Sequence, residues 1–228
     1  MTTPSLNTQL RRFGRRVLLI GLLAGAAWAV VAAITLAIAG AWLDLVWELP
    51  PVGRVACLAT AAVGAAGVLV AAAAFVTRRR QPRELARRLD RAAGTGGEIL
   101  TGVDLFLDQP DRSPLSGGLA TLAVERAGTV AGRVDGRRAV PAKPLGWAGS
   151  TVAGFAIAIA VVAVVAPRLA GTQWLRFTDP YGDHPPYSRV VFAVEPGDIK
   201  VVYGGGFDIK VTTDGPPVEK LSLVLENA

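Results

Sequence analysis

The chain has 228 residues, 51% of them hydrophobic, with one cysteine, one histidine and a formal net charge of +6. That apolar share and a mean hydropathy of +0.41 exceed what an average soluble domain carries. A lone cysteine excludes an intrachain disulfide and a thiolate metal cluster.

The apolar excess collects in three uncharged runs, 17–43, 55–77 and 145–167. Each exceeds the ~20 residues that cross a hydrocarbon core as a helix. The charges between the runs divide unevenly. Residues 1–16 hold four arginines and no acid, and residues 78–143 hold thirteen basic and eight acidic side chains. The loop 44–54 holds Asp44, Glu48 and Arg54, and residues 168–228 hold six basic and eight acidic side chains. Three spans place the two basic segments on one side and the other two on the opposite side. This is the positive-inside pattern, and it predicts a cytoplasmic N-terminus and an extracytoplasmic C-terminus. The basic balance is therefore read as membrane topology and not as a nucleic-acid surface. Anionic lipid headgroups are the expected partner of the arginine clusters.

In chain order, residues 1–10 read as polar and loose. Arg11, Arg12, Arg15 and Arg16 follow as a basic collar before the first span, completing a cytoplasmic N-terminus over 1–16. The first run is much longer than the ~7–15 apolar residues of a signal peptide, so it reads as an uncleaved anchor. Residues 17–77 form a two-span hairpin. Gly21, Gly25, Ala29, Ala33 and Ala37 recur every fourth residue, with Gly64, Gly67 and Ala71 in the second span and Ser150, Gly154 and Ala158 in the third. Small residues at that spacing allow helices to pack closely in lipid, with a second helix or a second copy of the chain as the expected partner. Cys57 reads as a small packed side chain. Trp42 and Trp47 place the segment 41–51 along the outer interface before Pro50 and Pro51 turn the chain back. Trp147 and Trp174 flank the third span in the same way.

Residues 78–144 read as a cytoplasmic helical insert. Pro82 opens its first helix and Gly94 stops it. A second helix runs from 98 to 108 with Ile99, Leu100, Val103 and Leu107 at helical spacing, closed by Pro110. A third opens at Ser113-Pro114 with Leu115, Leu119, Leu122, Val130 and Val134 as its apolar stripe. Asp135-Gly136 reads as a turn and 140–144 as a stiff linker into the third span, 145–167. About 60 residues make a poor isolated core, so the insert is expected to pack on the membrane or on a partner.

After the third span, 168–187 reads as a turn-rich linker. The region 188–228 then alternates as strands at 188–195, 198–203, 207–213 and 220–227, with turns between them. This layout resembles the opening strands of an immunoglobulin-like sandwich, which needs about seven strands when complete. The expectation is that a longer chain, or a partner, supplies the rest. The fold class is thus a three-span α-helical membrane protein with a small helical insert and a partial all-β Ig-like region.

No catalytic, cofactor or metal residue is predicted. The stretch 94–102, GTGGEILTG, lacks the Lys-Ser/Thr of a phosphate loop, and Gly94 and Gly96 in it read as a helix stop and a turn. The glycines at 204–206 read as a turn. His184, with Asp179 and Asp183 nearby, falls short of a zinc site's ligand set. No Gly-x-Ser-x-Gly elbow is present. The three runs contain no ionisable side chain of the kind that lines ion and proton pathways.

The stretches WELPPVGR (47–54), PRELARRLDRAAGTGGEILTGVDL (82–105) and DPYGDHPPYSRVVFAVEPGDIKVVYGG (179–205) resemble an uncharacterised family of large bacterial inner-membrane proteins with a domain of unknown function. The resemblance implies three N-terminal spans, a cytoplasmic helical insert, an Ig-like extracytoplasmic start and continuation for hundreds of residues. It also implies an association with MoxR-type ATPases. Two functions follow as expectations. The first is a non-enzymatic anchor or scaffold that couples the two sides of the membrane. The second is a receptor or regulatory subunit whose insert docks a cytoplasmic ATPase.

Overall fold

The computed structural model describes residues 6–107, 114–188, 190–195, 206 and 208–216. Helix α1 runs unbroken over Leu6–Trp47, and α2 (Pro51–Arg79) returns alongside it. Four shorter helices follow: α3 (Pro82–Ala93), α4 (Glu98–Leu107), α5 (Pro114–Arg133) and α6 (Gly136–Ala139). Helix α7 (Lys143–Val165) goes back along α1, and α8 (Pro167–Thr178) turns across the far end. Helices α1, α2 and α7 are each long and apolar enough to cross a membrane. Helix α1 is the axis of the bundle, and α2 and α7 both pack against it.

Small residues set the closeness of α1 and α2. A Cβ on Gly21 would collide with Val76, one on Gly25 with Ala72, and one on Gly40 would lie 2.9 Å from the Cβ of Cys57. Gly21 and Gly25 belong to the expected small-residue face, Gly40 lies beyond it, and the partner all three meet is the chain's own second span. Gly67 and Gly154, placed on the same kind of face by spacing, instead look into open space. The outward surfaces carry Val63, Val70, Ile157, Val164 and Val165, all well exposed.

At the arginine-rich end, the first turns of α1 are structural and not loose. Leu6, Leu10, Phe13 and Val17 form one core with Leu85, Leu89, Ile99, Val103, Ala127 and Ala131. The insert therefore packs on an extension of the first span. The reason is periodic. Leu6, Leu10, Phe13 and Val17 are spaced four, three and four apart, which makes a stripe on one face. The arginines occupy other faces. Within the insert, Pro82 opens α3 and Gly94, at φ 72°, ends it as expected. The buried face of α5 differs from the expected stripe: Ala120, Ala127 and Ala131 are buried, while Leu119 and Leu122 are 64% and 62% exposed. Alanine wins here because α4 comes so close that a Cβ on Gly102 would meet Ala127. Val130 and Val134 pack at the edge of the core. Asp135 does not merely turn the chain. Its side chain accepts from the Arg137 N–H and caps the single turn of α6.

Two further boundaries are corrected at the far end. The segment 41–47 continues α1, so the link to α2 is only Glu48–Pro50, with Glu48 at φ 46°. The first half of the expected linker 168–187 is helix α8, and turns begin only at Asp179.

Strands β1 (Val191–Glu195) and β2 (Lys210–Asp214) pair antiparallel, from Val191 opposite Asp214 to Glu195 opposite Lys210. Strand β1 lies within the expected strand 188–195, and β2 overruns the expected strand 207–213 by one residue, Asp214, which the sequence placed in a turn. The other two expected strands, 198–203 and 220–227, lie outside the described residues. Among the described residues the β region is this two-stranded sheet, with the side chains at Phe192, Val194 and Val211 exposed.

Candidate functional site

A buried charge cluster lies at the Trp47 end of the bundle. Asp44 sits in the last turn of α1, four residues after Gly40, on the stripe that faces the neighbouring helices. It is 2% exposed. Arg54 comes from the first turn of α2, which Pro50 and Pro51 start without a side-chain cap. Arg176, also 2% exposed, comes from the last turn of α8.

Arg176 grips Asp44 in two places, donating from Nε to Oδ2 at 2.8 Å and from Nη2 to Oδ1 at 3.0 Å. Arg54 donates from Nε to Oδ1 at 3.2 Å. The fork-on-carboxylate geometry is the strong form of this interaction. One carboxylate facing two guanidiniums leaves an excess positive charge, and backbone carbonyls absorb it. Arg54 Nη1 donates to Pro180 O at 3.3 Å, and Arg176 Nη1 to His184 O at 3.1 Å. The two arginines thereby pin the loop 179–184 onto the ends of α1 and α2. Within that loop, the amide of Gly182 donates to Asp179 O and the amide of His184 to Gly182 O. A Cβ on Gly182 would strike Asp179 and His184.

The chemistry available here is clamping. Both oxygens of Asp44 are taken by guanidinium donors, which leaves it poorly placed to carry protons to a substrate. His184 Nε2 lies 3.2 Å from Asp179 Oδ2. Among the described residues no three His, Cys, Asp or Glu side chains gather as a metal site would require.

A second polar device lies in the insert. Asp90, 7% exposed, accepts from the amides of Ile99 (2.9 Å) and Leu100 (2.8 Å) and from Thr95 Oγ1 (2.7 Å). It satisfies two of the orphan N–H groups that open α4. Gly94, Gly96 and Gly97, all at positive φ, carry the chain back to it. Gly94 and Gly96 are thus a helix stop and a turn, as read from the sequence.

The sequence reading placed Asp44 and Arg54 in a loop and Arg176 in a linker, and so missed their convergence. The local signal was only that nothing breaks the helix between Gly40 and Pro50, which lets α1 run on to Asp44. The loop's anchoring atoms belong to Pro180 and His184, within the stretch 179–205 that carried the family resemblance. Compared with protein-family models, curated proteins and solved structures, the chain matches none.

Proposed function

We propose that the chain is a non-enzymatic integral membrane anchor that ties a cytoplasmic helical module to an extracytoplasmic β region. The observation that carries this reading is the continuity of α1. Its first turns are core residues of the insert and its last turn supplies Asp44 to the opposite cluster. At ~1.5 Å per residue its 42 residues extend for about 63 Å, roughly twice a hydrocarbon core of ~30 Å. A rod of that length can be embedded in protein at both ends while its middle crosses lipid. The charge asymmetry supports a cytoplasmic insert, and the bacterial inner membrane is the location the family resemblance implies. Trp42, Trp47 and Trp174 are exposed at one end and Trp147 near the other, which suits headgroup contact at both interfaces.

The test is sidedness of labelling. In a Cys57→Ala background, single cysteines replace Thr121 on the exposed face of α5 or Thr213 in β2. A membrane-impermeant maleimide applied to intact spheroplasts is expected to label position 213, and to reach position 121 only after permeabilisation. The reverse order of labelling inverts the topology and defeats the proposal.

A further inference from the structure

The arginine collar of α1 forms one wall of an open groove of about 990 Å³, whose other wall is the turn between α5 and α7. Along a helix each residue advances by about 100°, so Arg11 and Arg15 share one face and Arg12 and Arg16 the next. Leu19 falls between these two pairs in projection, one turn further into the apolar run, and is 60% exposed. Arg137 faces them from across the groove. Arg16 is held in place by donating from Nε to Val140 O at 3.3 Å. Among the described residues, Arg11, Arg12, Arg15 and Arg137 form no ion pair with Asp or Glu. Among the described residues the one acid lining the groove, Asp135, is occupied in capping α6. Five guanidiniums around one space repel one another until an anion joins them. Two i,i+4 pairs offer two separate phosphate grips, and guanidinium suits phosphate because its donors match two oxygens at once.

We propose that this groove binds one diphosphate lipid of the cardiolipin type. The phosphates sit against the Arg11/Arg15 and Arg12/Arg16 pairs, and the acyl chains run down over Leu19 and Ile20 along the span. Charge selects an anion, the doubled arginine pairs select two phosphates, and the apolar continuation selects a lipid over a soluble diphosphate. Basic pockets beside membrane helices commonly hold such headgroups. The assignment rests on the reading of α1 as a membrane span. It adds a defined ligand at the arginine-rich end, which would hold the insert at one leaflet.

Native mass spectrometry of the full chain in neutral detergent tests it. Cardiolipin is titrated against phosphatidylglycerol at matched phosphate, against phosphatidylcholine, and against inorganic pyrophosphate as competitor. The expected result is a single cardiolipin per chain, preferred over phosphatidylglycerol. Arg12→Gln with Arg15→Gln is expected to weaken it by about thirtyfold, from the usual contribution of two arginines near a lipid surface. Arg12→Lys with Arg15→Lys keeps the charge and recovers part of the loss. Arg87→Gln with Arg91→Gln, the same charge change on exposed faces of α3, leaves affinity unaltered. Equal loss in the α1 and α3 glutamine variants, no preference for cardiolipin, or displacement by equimolar pyrophosphate would each overturn the proposal. Binding in detergent is independent of sidedness, so failure here and failure of the labelling experiment are separate results.

Discussion

Asp44 shows how much one side chain decides at this end of the molecule. Removing it leaves Arg54 and Arg176 buried with no counter-charge, and breaking a buried pair in this way costs about 3–5 kcal/mol. Asp44→Ala is therefore expected to lower the unfolding free energy in detergent by that order, read by denaturant titration. Replacing the whole cluster is a different experiment, because no uncompensated charge remains. Asp44→Leu with Arg54→Met and Arg176→Met should recover most of the stability, while freeing the loop at Pro180 and His184 that the guanidiniums hold. An Asp44→Ala protein as stable as the parent would mean the cluster is ornamental. Arg88 in α3 gives the opposite lesson. Its Nε is buried without a hydrogen-bond partner, and burial pushes its guanidinium below the usual arginine range. That is a cost the fold carries, with no visible return.

At the scale of elements, helices bounded by proline and glycine were legible in the sequence. Pro82, Gly94 and Pro114 mark ends because they remove a donor or permit a left-handed turn, effects that are local. Faces were less legible, because a face is chosen by what packs on it. Leu119 and Leu122 look like the core of α5 by hydropathy, yet the nearness of α4 at Gly102 admits only the alanines. Arg11 to Arg16 hid the α1 extension in the same way, since a charged collar reads as an end even where Leu10, Phe13 and Val17 continue beneath it. The charge cluster was illegible because its members lie 10 and 132 positions apart and meet only through the fold. Two glycines separate packing from composition. Gly25→Leu drives a side chain into Ala72 and is expected to destabilise the α1–α2 hairpin by about 1–3 kcal/mol. Gly67→Leu points into open space and is expected to be neutral within ~0.5 kcal/mol. Equal effects in a denaturant titration would show that the close approach of α1 and α2 does not matter.

At the scale of the whole molecule, the insert does not own all of its core. The insert borrows Leu6, Leu10, Phe13 and Val17 from the span that also ends in Asp44, so folding of the insert and insertion of α1 are linked through one helix. Phe13 is the largest of these borrowed side chains and is 5% exposed. Phe13→Ala removes an aromatic from the junction, at a cost of about 3–5 kcal/mol for a buried phenylalanine. If the insert depends on α1, that loss belongs to the insert and not to the bundle. Hydrogen exchange should then quicken across 85–103, where Leu85, Leu89, Ile99 and Val103 meet Phe13's cluster, and stay unchanged across 151–165 in α7. Exchange that quickens equally in α7 would describe one cooperative unit. Exchange that changes nowhere would describe an insert that folds without the span, and α1 would then join its two ends without coupling them.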